Sequence, residues 1–350
     1  MAFVIKKSPE DFVVEEVPLS AWSQSGEYAI FQMRKRRYTT YKAIQRVAAR
    51  LKIDPSKVGF AGEKDRQACT VQFISVRRPQ AWALAESIVI DDDLSIKHVG
   101  FSSEPLSLGM LAANRFSIRV EGVGEAASGS IRAYPVDFGV PNYFDEQRFS
   151  SSNVDIGLHL LRKEYVSAAG MIAASDEFFA QRMQTHFERS PQDAVGALAG
   201  LPRKMVLMYV HAVQSAVFNA LLGCLLRKSG PHVVVPYSQG EFVFPKGEPS
   251  LPRKLPLIGF DSRVPADPAI ASAWSVVDDW MGRRNVRFSD FVSRQLPFLT
   301  LDETDRPALS AVDQFRIEGS GEGWVRLAFS LSKGSYATMV VRMLDARCSV

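Results

Sequence analysis

The segment "GFAGEKDRQACTVQ", residues 59–72, places four consecutive charged residues between two apolar stretches. Gly59 and Gly62 tolerate positive φ, so they predict a sharp turn between a helix and a strand. That turn would hold Asp65 on a rigid platform, where the cations on either side favour the ionised carboxylate. An ionised aspartate can act as a nucleophile or a general base. On spacing alone, however, a salt-bridged surface turn is the favoured interpretation.

The composition is that of an ordinary folded protein. The chain has 350 residues, of which 46% are hydrophobic and 23% charged, which suggests two domains or one domain with a large insertion. Its three cysteines form no C-x-x-C pair, which argues against a zinc site or a disulfide framework and fits a reducing cytoplasm. The first apolar run is too short for a signal peptide, so we expect a cytoplasmic protein without a membrane span.

The first 120 residues show strand patterns interrupted by one helical pattern. Strands are expected at 11–17, 27–33, 69–76 and 115–120, because β-branched and aromatic residues cluster there between turn signals. Residues 39–51 instead place their apolar side chains on one helical face, with a threonine at the start as the expected cap.

The middle of the chain is helical in pattern, and strand patterns return at its end. Helices are expected at 154–174, 177–187 and 204–228, and the last of them is apolar enough to be a buried core helix. Residues 324–344 alternate on both sides of "SKGS", which predicts a β-hairpin. We therefore expect a discontinuous domain of 1–150 plus 304–350, into which a helix-rich domain of 151–303 is inserted.

Six stretches resemble, in order, the motifs of the TruD family of tRNA pseudouridine synthases. Residues 62–72 match without a gap the G-x-K-D-x-x-A-x-T-x-Q run that holds the family's catalytic aspartate. The other stretches are "SPEDFVVEE" (8–16), "NRFSI" (114–118), "PNYFDEQRF" (141–149), "HAVQSAVFNALL" (211–222) and "LSKGSYATMVVRML" (331–344). The chain departs from the family at Asp145, where glycine is usual, and at Ser332, where proline is common.

The resemblance implies both a fold and a reaction. The fold is α+β: a pseudouridine synthase catalytic domain with a mixed or antiparallel sheet, and an inserted helix-rich α/β TRUD domain. The reaction is isomerisation of a uridine in tRNA, at position 13 in the D-arm region, after the base has left the helical stack. The aspartate attacks C1′ or deprotonates C2′, the N-glycosidic bond breaks, and C5 joins the sugar. No metal or other cofactor is expected, and tRNA is the implied partner, without a membrane or a protein partner.

The resemblance also assigns site residues. Asp65 is the expected catalytic residue, and substrate binding falls to Phe12, Asn114, Phe116 and Tyr336. Phe116 would stack on the target base, although its alternation with apolar neighbours also fits a core strand position. Asn114 would hydrogen-bond the uracil or hold its loop, and a plain turn residue is the alternative. A plain core position is the alternative for Phe12 and for Tyr336, and it is favoured more for Phe12, which lies in an expected strand.

Basic residues beside aromatic ones predict contacts with RNA phosphates. The net charge of +4 suits a polyanion, and "RKRRY" (34–38) places four cations beside a tyrosine. An alternative role for Lys64 is to orient Asp65. An alternative for Arg148 is a buried salt bridge. Any single basic cluster is as well explained by a solvated surface. The RNA-binding candidates are Lys64, Arg34, Arg36, Arg37 and Arg148.

Two other classes of function compete with this interpretation. A non-catalytic RNA-binding protein on the same scaffold would keep the basic and aromatic residues but would not need Asp65. A metabolic α/β enzyme would show a G-x-G-x-x-G or G-x-S-x-G signature, and the sequence has neither. The five histidines are scattered, which is typical of structural or surface positions rather than of a catalytic pair.

Overall fold

The computed structural model describes residues 3–78, 87–124, 127, 129, 131, 138–150, 152–175 and 177–348. The chain divides into two compact units. The first, which we call the sheet unit, comprises Met1–Gly139 and Ala311–Val350. The second, the helical unit, comprises Val140–Ser310. The assignment of a catalytic and an inserted domain stays a prediction.

Within the described residues the chain forms fifteen strands and ten α-helices. The strands are β1 (Phe12–Val17), β2 (Tyr28–Arg36), β3 (Val58–Phe60), β4 (Cys69–Arg77), β5 (Ser87–Asp91), β6 (Leu94–Ser102), β7 (Ala113–Glu121), β8 (Val140–Pro141), β9 (His232–Tyr237), β10 (Gly240–Pro245), β11 (Lys254–Leu257), β12 (Thr304–Pro307), β13 (Leu309–Ser310), β14 (Val312–Gly321) and β15 (Trp324–Ser332). The helices are α1 (Thr40–Leu51), α2 (Glu146–Phe149), α3 (Asn153–Leu161), α4 (Tyr165–Ser175), α5 (Glu177–Arg189), α6 (Ala194–Ala199), α7 (Arg203–Ser229), α8 (Pro268–Ala273), α9 (Ser275–Gly282) and α10 (Ala337–Cys348).

A nine-stranded mixed sheet is the framework of the sheet unit. Its strands run in the order β14-β15-β7-β1-β4-β2-β6-β5, and the short β3 pairs with β4. Among the described strands of this sheet, β1 and β4 pair in parallel and the other pairs are antiparallel. Helix α1 packs its apolar face on β2, β4 and β6 through Ile44 and Val47, which meet Phe31 and Met33 in one buried cluster. This arrangement leaves β1 and β4, the parallel pair, at the centre of the sheet.

The predicted elements of the first 120 residues are confirmed. The strands expected at 11–17, 27–33, 69–76 and 115–120 are β1, β2, β4 and β7. The helix expected at 39–51 is α1, and its cap is Thr39, whose hydroxyl accepts a hydrogen bond from the Lys42 amide at 3.3 Å. These segments were predictable because their periodicity agrees with their burial.

The predicted C-terminal hairpin is wrong. Residues 324–332 form strand β15 as expected, but the second half of the segment is helix α10. Its buried residues Ala337, Val340, Val341 and Leu344 follow the i, i+3, i+4, i+7 spacing of a helical face. Strand β15 pairs instead with β7 and with β14, and β14 was not predicted from the sequence.

A second prediction also needs correction, because residues 154–174 form two helices rather than one. Helix α3 ends at Leu161 and α4 begins at Tyr165. Between them Lys163 adopts a left-handed backbone conformation with φ of 64°, which an α-helix does not accommodate. The lysine amine donates hydrogen bonds to the carbonyls of Asp290 and Val292, both at 2.7 Å, and this holds the turn in place.

Helix α7 is the core of the helical unit, as its apolar composition predicted. Helices α3 and α9 and strand β10 pack around its 27 residues. In the part of the chain that the structure describes, it alone is long and apolar enough to cross a membrane, and 72% of its most apolar window is buried inside the protein. Tyr143 is buried beside it, and its hydroxyl contacts the Val243 amide at 3.1 Å.

Candidate active site

One face of the sheet carries three of the four residues expected to bind substrate. Val14 of β1 lies opposite Thr70 of β4 on one side and opposite Phe116 of β7 on the other. Because side chains alternate along a strand, Phe12 shares this face with Val14, and Asn114 shares it with Phe116. We call this surface the site face.

The loop that carries Asp65 lies against the site face and is held there by hydrogen bonds from neighbouring elements. Gln72 of β4 donates from Nε2 to the Gly62 carbonyl at 3.1 Å. Thr40, the first residue of α1, accepts from the Lys64 amide at 2.9 Å and donates to Gln72 Oε1 at 3.1 Å. These bonds hold the turn in place, but its glycines do not act as the sequence predicted: Gly59 lies in strand β3, and neither Gly59 nor Gly62 adopts a positive φ.

Asp65 itself is partly exposed and paired with a lysine from the N-terminal segment. Its side chain is 41% exposed, and Oδ2 accepts a hydrogen bond from Lys6 Nζ at 2.6 Å. The Lys6 ammonium also lies 4.3 Å from the centre of the Phe12 ring. The charge comes from neither Lys64 nor Arg66, the two cations that the sequence indicated, but from Lys6, which lies just before the matched 8–16 motif and was not predicted.

Lys64, which precedes Asp65, is turned away from solvent. Its Nζ pairs with Glu16 Oε1 at 2.5 Å, and the two side chains are only 8% and 1% exposed. The second oxygen of Glu16 accepts the Phe73 amide at 2.9 Å. A charge enclosed in this way is poorly placed to meet an RNA phosphate. The geometry favours the alternative that Lys64 orients the loop beside Asp65.

Three phenylalanines form a continuous aromatic row on the site face. Phe12 meets Phe116 edge to face at 6.2 Å, and Phe116 meets Phe329 of β15 at 5.6 Å. Phe12 is 4% exposed and Phe116 is 7% exposed, so each ring presents little surface to a base in this structure. The core alternative for both is therefore supported. Phe329 was missed, although the alternation along β15 was the available signal.

On the part of the site face that strands β4 and β7 form, two polar atoms are buried without a hydrogen-bond partner among the described residues. They are Oδ1 of Asn114 and Oγ1 of Thr70. Asn114 lies opposite Glu16 in the pairing of β1 with β7. Unsatisfied buried polar atoms are uncommon in folded proteins, and a catalytic role or a bound water or ion is among the explanations for them. This observation favours the hydrogen-bonding alternative for Asn114 over a plain turn residue.

Tyr336 is half-buried in the turn between β15 and α10, not in a strand as expected. In the same turn Lys333 donates from Nζ to the Gly109 carbonyl at 3.0 Å. The Gly109 amide in turn donates to the Ala61 carbonyl at 2.7 Å. This chain of contacts brings the turn that holds Tyr336 close to the start of the Asp65 loop.

The basic run at 34–38 does not act as one patch, because it continues strand β2 and its side chains alternate between faces. Arg34 and Arg36 lie on the face opposite the site face. Arg36 is already paired with Glu10 at 2.6 Å and with Asp93. Arg37 follows the strand, is exposed, and has a left-handed φ of 59°.

The remaining RNA-binding candidate belongs to the helical unit. Arg148 of α2 donates from Nε to Ser215 Oγ at 3.2 Å, and its guanidinium lies 5.4 Å from the centre of the Phe144 ring.

Asp145, where the family usually has glycine, has a φ of −81° and caps α2 through the Glu146 amide at 2.7 Å. The aspartate thus fits this backbone without strain.

Within the described ranges, no group of three or more His, Cys, Asp or Glu is placed to hold a metal ion.

Comparisons with known proteins identify the family of this chain. A family model described as tRNA pseudouridine synthase D (TruD) matches residues 1–184 and 177–255. A protein of Thermococcus sibiricus named "Probable tRNA pseudouridine synthase D" is 29% identical over 400 residues, which cover 97% of this chain and 93% of the relative. The "tRNA pseudouridine synthase D" of Aquifex aeolicus is 26% identical over 381 residues, covering 97% of each chain.

A solved structure shows the same fold. The crystal structure of a Methanosarcina mazei protein named "Putative tRNA pseudouridine synthase D (TruD)" superimposes with a TM-score of 0.67 at 22% identity, covering 98% of this chain and 93% of the other. The mixed sheet and its helices therefore confirm the predicted α+β pseudouridine synthase fold. Because the family model covers well over half of the sequence, the chain belongs to the tRNA pseudouridine synthase D (TruD) family and is an RNA pseudouridine synthase.

Proposed function

We propose that this enzyme converts a uridine of tRNA to pseudouridine with the Asp65 carboxylate as its catalytic group and without a cofactor. The relatives described above are named as tRNA pseudouridine synthases, which supports tRNA as the substrate. The observation that carries the assignment is the position of Asp65. Its carboxylate is accessible, paired with Lys6 at 2.6 Å, and mounted on a loop that Thr40 and Gln72 hold.

The proposed reaction balances without an added reagent. The uridine first leaves its stack, which costs a few kcal/mol. By one route an Asp65 oxygen bonds to C1′ as the N1–C1′ bond breaks, and this ester bond breaks again when C5 bonds to C1′. By the other, Asp65 removes the C2′ proton as the N1–C1′ bond breaks, and returns it to C2′ when C5 bonds to C1′. The released uracil turns, C5 bonds to C1′, the C5 proton leaves, and N1 gains a proton. Because the product is an isomer of the substrate, no oxidant, reductant or metal is consumed.

Both routes need Asp65 as an anion, and Lys6 is placed to support that form. A charge-assisted hydrogen bond from an ammonium group to a carboxylate is stronger than one between neutral groups. We propose that Asn114 binds the uracil through its Oδ1, which has no hydrogen-bond partner in the described part of the chain. We also propose that the Phe12 and Phe116 rings and Tyr336 complete the pocket. Stacking by Phe116 would need a shift of its ring, because the ring is now almost fully covered.

We further propose that the target is uridine 13 in the D-arm region, as the family resemblance implies. Unmodified tRNA transcripts are incubated with the purified chain, and pseudouridine is mapped to single positions. We expect product at position 13, and none when that nucleotide is cytidine. A chelator should leave the rate unchanged. Product at another uridine would overturn the position assignment, and a rate that depends on an added metal would overturn the cofactor-free mechanism.

A further inference from the structure

Lys35 is a buried lysine whose ammonium group reaches the backbone of the Asp65 loop. It lies on the site face of β2, opposite Thr70, and is 1% exposed. Its Nζ donates to three main-chain carbonyls, those of Tyr38 at 2.8 Å, Asp65 at 3.0 Å and Lys64 at 3.3 Å. We propose that Lys35 is a positioning residue that sets the location of the Asp65 carboxylate by fixing the main chain at Lys64 and Asp65.

The chemistry of the position supports this role over a purely structural one. The preceding residues on the same face of β2, Phe31 and Met33, are apolar and pack under α1. An apolar side chain would continue that core, whereas burying an ammonium ion is costly unless it is fully hydrogen-bonded. An ammonium has three N–H groups, and here three carbonyls accept them. The N–H groups of Lys35 therefore match the carbonyl acceptors of the loop, and not the apolar core around them.

The match between three donors and three acceptors depends on protonation. Burial lowers the pKa of Lys35 to about 8, with Asp65 raising it and Lys64 lowering it further. The neutral amine has only two N–H groups, so deprotonation releases one carbonyl. Lys6 and Glu16 face this cluster through their ion pairs with Asp65 and Lys64. The anchor is thus complete below pH 8 and loosens as the pH rises through that value.

The contribution of Lys35 to folding stability is expected to increase with pH, whereas its hold on the loop weakens. The unfolded chain holds the Lys35 proton up to a pH near 10.5, whereas the folded chain releases it near 8. Between these values the unfolded state binds more protons, so the Lys35 contribution to stability increases with pH. Deprotonation of Lys35 therefore does not destabilise the folded protein, so unfolding caused by Lys35 does not explain a loss of activity above pH 8. Measuring both quantities separates positioning of the loop from general stability.

The test uses two substitutions of Lys35 and a matched control. Lys35→Met keeps the length of the side chain without its donors, and Lys35→Arg keeps a charge that does not titrate in this range. Met33→Ala is the control, because Met33 is fully buried on the same strand and face. The measured quantities are the single-turnover rate of pseudouridine formation on bound tRNA, tRNA affinity, and the thermal midpoint.

This inference rests on the proposed role of Asp65. We expect Lys35→Met to lower the single-turnover rate by about 100-fold, the effect of a misplacement of about 1 Å, with nearly unchanged affinity. Lys35→Arg should retain a larger share of the rate and lack the alkaline decline of the wild type near pH 8. Met33→Ala should lower the thermal midpoint and leave the rate of folded protein unchanged.

The outcomes distinguish the inference from the function on which it rests. A wild-type rate for folded Lys35→Met, or an alkaline decline that persists unchanged in Lys35→Arg, overturns the positioning role. If Lys35→Met does not fold, the pH profile of Lys35→Arg decides alone. An active Asp65→Asn variant overturns the proposed function instead. Inactive Asp65→Asn together with fully active Lys35→Met overturns only the inference about Lys35.

Discussion

Lys6 Nζ and Asp65 Oδ2 lie 2.6 Å apart, although 59 residues separate the two in the sequence. Lys6 reaches this position with a left-handed backbone, at a φ of 60°. Strained conformations of this kind persist where the surrounding structure enforces them, commonly at functional sites. Because the pair is partly exposed, its contribution to stability is small, about 1 kcal/mol or less. We therefore expect its main effect to be on the reaction.

Replacing Lys6 tests that expectation. Lys6→Met should lower the single-turnover rate by about 10- to 100-fold, because it removes the charge-assisted bond to Asp65, whereas unfolding stability should change by no more than about 1 kcal/mol. The neighbouring Lys7, which is exposed and pairs with Glu121, supplies the control Lys7→Met. Equal rates for the two variants would show that the Lys6 contact does not affect the reaction.

The buried pair of Glu16 and Lys64 predicts a large change in stability. Glu16→Gln leaves the Lys64 ammonium enclosed without its anion, so we expect a loss of about 3–5 kcal/mol in the free energy of unfolding. Denaturant titration measures this loss. The double variant Glu16→Gln/Lys64→Met removes the unpaired charge and should recover part of it. A double variant less stable than the single one would contradict the explanation.

Asn114 is expected to show the reverse pattern, with loss of activity at little cost in stability. Its Oδ1 has no partner among the described residues, so Asn114→Ala should change unfolding stability by only about 1 kcal/mol. Activity should fall by about 100- to 1,000-fold if that oxygen binds the uracil in the transition state, as for the loss of one oxyanion-hole hydrogen bond. The rate and the stability are measured on the same protein preparation.

Asn142 of the helical unit provides a control for this variant. It is buried too, but its amide donates to the Pro307 carbonyl at 3.0 Å and its Oδ1 accepts from Arg306 at 2.7 Å. Asn142→Ala should therefore destabilise the protein clearly more than Asn114→Ala does. If Asn114→Ala is the more destabilising of the two, its amide is structural and the proposed contact with uracil is wrong.

The arginines of the basic run are predicted to differ in their contribution to RNA binding. Arg37 is exposed at the end of β2, whereas Arg36 is held by Glu10 and Asp93. Each phosphate contact contributes about 0.7–0.9 to the slope of log affinity against log salt concentration. We expect Arg37→Ser to reduce the measured slope by about that amount and Arg36→Ser to leave it nearly unchanged. A smaller slope for Arg36→Ser together with an unchanged slope for Arg37→Ser would contradict this prediction.

The sequence was informative where local pattern and function coincide. The glycines and charges of residues 59–72 predicted a rigid turn, and the structure shows that turn anchored by Thr40 and Gln72. The alternation of 115–120 predicted that Phe116 faces inward, and it does. The C-terminal segment failed because its apolar residues satisfy both a strand period and a helical period, and only tertiary packing decides between them.

Contacts between distant segments were beyond the reach of spacing alone. Lys6 and Lys35 reach the Asp65 loop from the N-terminal segment and from β2, and neither stands out in the sequence from other lysines. The run at 34–38 was misleading for a related reason. In a strand, neighbouring cations point to opposite faces, so a dense basic run divides between two surfaces.

The most direct test compares the wild type with Asp65→Asn and Asp65→Ala in a single-turnover assay for pseudouridine, with tRNA affinity measured in the same samples. We predict no detectable product from either variant and nearly unchanged affinity, because phosphate contacts dominate binding. Asparagine matches aspartate in shape but carries no charge. If Asp65→Asn forms product at the wild-type rate, the carboxylate at this position is not the catalytic group.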